Sequence, residues 1–252
     1  MKALITGASS GIGRDMALIL SNMGYDIYAV ARRSDRLNSL KNELNTNVYP
    51  MIYDLSDTNQ CFRLFDELKG TDIDVVINNA GFGVCGEFYS TDIKRELEMI
   101  DTNITAVHIL TKLFYQKFKK LNKGKILNVA SSAGYMMGPF LSSYYASKAY
   151  VLRLSQAINR ELKEDNSAVT VSVLCPGPVK TEFDAIAGVS KSLSGLDSMY
   201  VAKCGIKGMF KGKSVIKPGF SVKMLLLFTR FVPDNLLSKI TYNIQKRKIS
   251  VK

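Results

Sequence analysis

Residues 144 to 148 read "YYASK". In a helix, positions four apart share a face, while neighbours point about 100° apart. Tyr144 therefore meets Lys148, and Tyr145 is expected to pack elsewhere or to form pocket wall. A phenol and an ammonium have reference pKa values of about 10 and about 10.4. An adjacent ammonium favours the phenolate, and bringing the phenol to ionise near neutrality takes roughly 4 kcal/mol of such help. A lysine aided by the positive ring of a bound cofactor can supply it. Tyr144 is thus a candidate general acid/base for a carbonyl–alcohol proton.

That chemistry also needs a hydroxyl to hold the carbonyl oxygen. The stretch "NVASSAG" ends a strand, where open parallel sheets bind their ligands, and offers Ser131 and Ser132. Asn103, in "DTNITAV", is placed to hold a water beside Lys148 through its backbone carbonyl. A redox cofactor would enter at "TGASSGIG", where Gly7, Gly11 and Gly13 allow a tight turn and a close approach of pyrophosphate to helix amides. The end of the second strand reads "AVARRSDRL", with Arg32 and Arg33 where an acid would bind the 2′-hydroxyl of NAD. Guanidinium groups match a phosphate by charge and paired hydrogen bonds, so NADP(H) is expected. Asp54, in "YDLSD", either touches the adenine or caps the following helix, and Leu55 lies beside it. "NNAG", which contains Asn79, Ala80 and Gly81, either lines the cofactor's ribose side or is a plain turn.

The elements that must position these residues are legible as alternating short apolar runs and amphipathic stretches, the mark of βα units on a parallel sheet. Strands are expected in "KALITG", "DIYAVA", "VYPMIYDL", "IDVVINNAG", "GKILNVAS" and "AVTVSVLCPG". Helices are expected between them, including a long one from Asp92 to Lys119 and another from about 144 to 163. The fold class is α/β, a doubly wound parallel sheet with helices on both faces. Residues 1–252 are read as one catalytic domain. Within it, 182–252 form a Gly/Ser-rich substrate-cap loop, a late strand and a basic C-terminal extension.

Taken together and in this order, "TGASSGIG", "NNAG", Asn103, the serine strand with "YYASK", and "PGPVKT" resemble the short-chain dehydrogenase/reductase family in its single-domain form. The resemblance covers about residues 2 to 182 and implies a Rossmann-like three-layer sandwich. It makes Tyr144 the acid/base, with Lys148 binding the nicotinamide ribose and lowering the tyrosine pKa, and Asn103 completing a proton relay through water. It selects Ser131 over Ser132, assigns Ser9, Ser10 and Ile12 to the phosphate loop, and assigns Asn79 to the ribose. Pro176, Gly177, Val179 and Thr181 would surround the carboxamide, Arg32 would meet the 2′-phosphate, and Arg33 would be a second contact. Family likeness also implies a homodimer or homotetramer through the two long helices.

The remainder of the chain bounds this reading. Cys61, Cys85, Cys175 and Cys204 form no CxxC pair, so a reduced, cytoplasmic protein without structural disulfides or a metal site is expected. The first apolar run is too short for a secretory signal. The only histidine, His108, is read as structural or surface. Met136, Met137, Pro139, Phe140, Cys85, Phe88 and Phe183 flank the motifs and are expected to line an apolar pocket for a small carbonyl or alcohol substrate. The net charge of +12 lies almost wholly after Val201, where twelve Lys or Arg face one acid, Asp234. Its apolar stretch "GFSVKMLLLFTRFVP" is too short to span a bilayer. A helix closing the active site with lysines outside is the favoured reading, and peripheral contact with an anionic membrane the second. Nucleic acid is not expected, because arginines and aromatics are not interleaved as stacking platforms. A non-catalytic NADP(H) sensor is the rival function.

Overall fold

The computed structural model describes residues 1–190, 194–229, 231–247 and 249. Lys191, Ser192 and Leu193 of the expected cap loop, and Arg230, Lys248 and Lys252 of the basic tail, lie outside the described residues.

Seven strands form one parallel sheet: β1 (Lys2–Thr6), β2 (Asp26–Ala31), β3 (Val48–Ile52), β4 (Val75–Asn78), β5 (Lys125–Val129), β6 (Thr170–Leu174) and β7 (Val215–Ile216). Their order across the sheet is 3-2-1-4-5-6-7. The central strands are buried on both faces, which is why they read as continuous apolar runs rather than as an alternation. The order reverses between β1 and β4, so the loops leaving these two strands diverge and open a crevice at the carboxyl edge.

Ten α-helices cover the sheet among the described residues: α1 (Gly11–Asn22), α2 (Ser34–Glu43), α3 (Thr58–Leu68), α4 (Ile93–Ile100), α5 (Ala106–Leu121), α6 (Ser142–Glu164), α7 (Phe183–Ala187), α8 (Ser198–Phe210), α9 (Phe220–Phe228) and α10 (Asp234–Lys246). Met16, Leu20, Leu37, Leu40, Ile206 and Met209, from α1, α2 and α8, pack on one face. Leu64, Leu68, Leu110, Phe114, Phe118 and Leu162, from α3, α5 and α6, pack on the other. The result is the expected three-layer α/β/α sandwich.

The structure differs from the sequence expectation in two helical regions. The long run from Asp92 is interrupted by a π-helical turn at Asp101–Thr105, which carries Asn103. Such a turn widens the helix and shifts its hydrogen-bond register where function often needs it. The helix α8 is not legible in a Gly/Ser-rich region, yet its glycines are what bring it close. A Cβ on Gly205 would stand 2.8 Å from Met16 Cε, and one on Gly208 2.6 Å from Ile216.

A buried polar network ties the two central strands to the helices that carry the site. Asn78 Nδ2 donates to Asn128 Oδ1 at 2.8 Å and to Thr111 Oγ1 at 3.1 Å, linking β4, β5 and α5. Asn128 Nδ2 donates to Ser155 Oγ of α6 at 2.9 Å. Replacing Asn128 by Ala leaves Asn78 and Ser155 with unmet partners in a dry interior. Asn128→Ala is expected to lower stability by about 2–4 kcal/mol, seen as a lower urea midpoint at unchanged slope; a loss below about 0.5 kcal/mol would show that the network is not structural.

Candidate active site

A cavity of about 650 Å³ runs along the carboxyl edge of the sheet, a size ordinary for a cofactor or ligand site. One wall is the loop from β1 to α1, with Gly7, Ser9, Ser10, Gly11 and Ile12. The strand ends add Arg32, Arg33, Asp54, Leu55, Asn79, Ala80 and Gly81. At its other end stand Ser131, Ser132, Tyr144 and Lys148, with Pro176, Gly177, Val179 and Thr181 closing the side. Two residues singled out from the sequence lie behind this lining, Gly13 and Asn103.

The glycine loop is held flat against β4. Thr6 Oγ1 accepts from the Asn79 and Ala80 amides at 2.9 and 3.0 Å. Asn79 Nδ2 in turn donates to the carbonyls of Thr6 and Gly7 at 3.1 and 3.2 Å. Gly7 has φ +66°, and a Cβ there would come within 2.8 Å of Asn79 Nδ2. A Cβ on Gly13 would lie 2.4 Å from the Gly7 carbonyl oxygen, so Gly13 lets α1 begin directly under the loop. Helix α1 then presents first-turn amides with no side-chain cap to the cavity, a natural seat for a phosphate.

The two arginines differ in placement. Arg33 Nη2 lies 3.3 Å from Ser9 Oγ, 3.1 Å from Ser10 Oγ and 2.9 Å from Glu182 Oε2, directly over the phosphate loop. Arg32 is more exposed and reaches Asp54 at 3.7 Å. Burial raises the Asp54 carboxyl, but the Ser56 hydrogen bonds and Arg32 outweigh it, leaving the group below its ordinary pKa. Asp54 does not cap the next helix. That role falls to Asp57, whose side chain accepts from the Asn59 amide, while Asp54 accepts from Ser56. Glu182, which sequence reasoning passed over, clamps both Arg33 and Arg36 and is itself pulled down in pKa by the Arg33 hydrogen bond.

At the other end, α6 carries Tyr144 and Lys148 on one face. Lys148 is buried, its Nζ donating to the Val129 carbonyl at 3.0 Å and standing 5.8 Å from the centre of the Tyr144 ring. Burial pulls its pKa down to about 8, and the neighbouring Cys175 opposes this only in part. Tyr144 is half-buried against Tyr145 and Phe183. Burial pushes its phenol above the ordinary value, while a hydrogen bond with Ser131 pulls the other way. The expectation that Lys148 brings this phenol down is thus not met by the protein alone. Burial of the ring dominates, and the Tyr145 and Asp184 side chains push the same way.

Ser131 is the serine that meets Tyr144. Its Oγ also accepts from the Ala133 amide at 3.1 Å, which fixes its rotamer, while the Ser132 amide is tied to the Pro176 carbonyl at 2.7 Å. The Asn103 side chain is fully engaged, donating to Phe82 O and Ser147 Oγ and accepting from the Phe82 amide. A Cβ on Gly81 would stand 2.7 Å from Asn103 Oδ1 and 3.3 Å from Lys148 Nζ, so these groups converge behind one glycine. His108 pairs with Tyr150 at 2.7 Å on the surface, away from the cavity.

Of the seven residues expected to line an apolar pocket, only Phe183 lines this cavity; Phe82, Leu141, Tyr145, Ile186 and Val189 form the apolar wall instead. Phe140 faces outward onto Tyr242 of α10, with ring centres 5.1 Å apart, and Phe88 is exposed. The Tyr145 hydroxyl accepts from Gln245 Nε2 of α10, so the C-terminal helix supports the wall from outside.

With this geometry in view, the likeness to known proteins is specific. The family model described as short chain dehydrogenase matches residues 1–189. The probable short-chain type dehydrogenase/reductase VdlC of Helicobacter pylori is 36% identical over 187 residues, which cover 73% of this chain and 67% of that protein. A short-chain dehydrogenase from Sphingobium yanoikuyae, solved in complex with NADPH, is 27% identical. It matches with a TM-score of 0.82 over 100% of this chain and 97% of the other. One from Burkholderia phymatum, solved with NAD, matches in fold at 22% identity and a TM-score of 0.81, over 89% and 91% of the two chains.

The lowered pKa of Lys148 has a direct signature. The free protein should release this proton as pH rises through about 8, whereas an unfolded lysine holds it to about 10.4. Between those values the unfolded chain binds more protons, so this group makes stability rise with pH. A ¹³Cε-lysine NMR titration is expected to show one resonance with a midpoint near 8, absent in Lys148→Met. All resonances titrating near 10.4 would refute it.

Proposed function

We propose that this chain, which belongs to the short-chain dehydrogenase family, reduces an apolar ketone or aldehyde with NADPH and runs the reverse alcohol oxidation. The observation that carries this reading is the meeting of Ser131, Tyr144 and Lys148 at one end of a cavity whose other end is a glycine loop overhung by Arg33. When bound, NADPH supplies the hydride. Ser131, its rotamer held by the Ala133 amide, donates to the substrate oxygen. Tyr144 gives that oxygen its proton, its phenol being in the acid form at neutral pH. Lys148 holds a positive charge beside the phenol as it ionises, and Asn103 keeps the loop after β4 against the same spot.

Two features support the finer choices. Arg33, with Ser9 and Ser10, makes a compact donor cluster for a 2′-phosphate, and the Sphingobium relative holds NADPH. The wall of Phe82, Leu141, Tyr145, Phe183, Ile186 and Val189 favours a substrate with little polar surface. The same reading places the enzyme in the cytoplasm as a homodimer or homotetramer through α4, α5 and α6, whose outer faces expose Leu97 and Tyr150.

Two experiments test it. Tyr144→Phe is expected to lower kcat for carbonyl reduction by about 10²–10⁴-fold with NADPH affinity unchanged, whereas Tyr145→Phe stays within about tenfold of wild type. Equal losses in the two variants would refute the proton-donor assignment. In fluorescence titrations, Arg33→Ala should weaken NADPH by at least about tenfold and NADH by less than about threefold, with a smaller effect for Arg32→Ala. If wild type binds both cofactors alike, the NADPH assignment fails; a protein that binds NADPH but reduces no carbonyl would be a sensor.

A further inference from the structure

We propose that the C-terminal helices α9 and α10 dock this protein on an anionic membrane surface. The inference stands apart from the reaction proposed above, and its test reads binding only.

Helix α9 buries Val222 and Leu226 against the body of the protein. The opposite face of an ordinary surface helix would be polar. Here it carries Phe220, Leu227 and Phe228, with Phe220 77% and Phe228 61% exposed. Phe231, 78% exposed, continues the patch into the turn, and Leu236 begins α10. On α10 the usual arrangement is inverted. The buried line is Leu237, Thr241 and Gln245, while the line beside it, Leu236, Ile240 and Ile244, is open to solvent. Two successive helices, with Phe231 between them, thus turn large apolar side chains outward, and exposed apolar surface of this kind marks an interaction surface.

Charge decides the occupant. Lys223 lies beside the α9 patch, and Lys239, Lys246 and Arg247 flank the α10 stripe. Among the described residues none of these four cations is in an ion pair, and the only acid after Val201 is Asp234. A second copy of the chain would bring two strongly positive patches face to face, which opposes association. An anionic lipid surface satisfies both features, since it takes the aromatic side chains at the acyl boundary and the lysines at the headgroups. No helix among the described residues is long and apolar enough to cross a membrane, so the contact is peripheral. Helix α10 sits at the substrate end of the cavity, because Gln245 bonds Tyr145 and the Tyr242 ring lies tilted against Phe140.

The test uses the full chain, since removing the tail would strip Gln245 from Tyr145 and Val222 from the core. Wild type is sedimented with phosphatidylcholine vesicles containing about 30% phosphatidylserine, and with pure phosphatidylcholine vesicles. Binding is expected on the anionic vesicles, at least about tenfold weaker on neutral ones, and weakened by about 0.5 M salt. Phe228→Ser/Phe231→Ser should lose at least about tenfold, and Lys223→Glu/Lys239→Glu should lose the preference for anionic lipid. Should the double phenylalanine variant not keep the wild-type thermal melt, Phe231→Ser alone carries the same test with a smaller loss. No wild-type binding to either vesicle, equal binding to both, or binding indifferent to these substitutions would overturn the proposal. So would self-association by ultracentrifugation that the phenylalanine variant abolishes while vesicles remain unbound, which would assign the patch to a second copy.

Discussion

The site is organised around one buried ammonium. Lys148 sits inside the protein, its Nζ donating to the backbone carbonyl of Val129. Burying a charge with little compensation is unfavourable, and the lowered pKa of the group follows from that burial. The carbonyl belongs to the last residue of β5, so the ammonium is fixed by the edge of the sheet itself. The same placement requires α6 to lie tight on the turn after β5. Gly134 makes this possible, because a Cβ there would stand 2.7 Å from the Lys148 carbonyl oxygen. The turn that carries Ser131 and the helix that carries Tyr144 are thereby locked together. Burial accepted at one residue thus sets the positions of three.

The phosphate end is built on an opposite principle, from exposed charge and backbone rather than from burial. Gly13 is needed there for lack of room, and Gly7 both for room and for its φ of +66°, since the Asn79 side chain and the Gly7 carbonyl occupy the space a Cβ would take. Glu182 joins the two ends. It follows Thr181 in the segment beside the cavity, precedes α7, and pairs with Arg33 over the phosphate loop. A carboxylate at that place competes with a phosphate for the same guanidinium.

What could be read from the sequence was local, and what could not was long-range. The pairing of Tyr144 with Lys148 is a matter of helical period, the glycine loop of position after a strand, and the strands of unbroken apolar runs. The Arg33–Glu182 pair spans 149 residues and the Gln245–Tyr145 bond spans 100, with no local pattern to announce either. Helix α8 was hidden because Gly205 and Gly208, which argue against a helix by propensity, are needed for its close packing on Met16 and Ile216. The pocket wall was misread for a related reason. Proximity in sequence to the motifs placed Phe140 and Phe88 near the site but said nothing of which way the loops turned their side chains. The direction of the Tyr144 shift was also out of reach, because it depends on how much protein surrounds the ring.

The C-terminal helix α10 shows where pattern reading alone must fail. Periodicity assigns the apolar line of a helix to the core, yet in α10 the line that packs inward contains Thr241 and Gln245. Each is tolerated there because its donor is satisfied: Thr241 by the carbonyls of Leu237 and Ser238, Gln245 Nε2 by the Tyr145 hydroxyl. Once those bonds hold the helix in register, hydrophobicity is no longer needed on the inner side and is left on the outer. A chain that had only to shield an active site would gain solubility by making Leu236, Ile240 and Ile244 polar, at no loss to the contacts that anchor α10. That it carries apolar residues there, as α9 does on its own exposed face, together with lysines that make no ion pair among the described residues, is what an interfacial surface requires and a solvated lid does not.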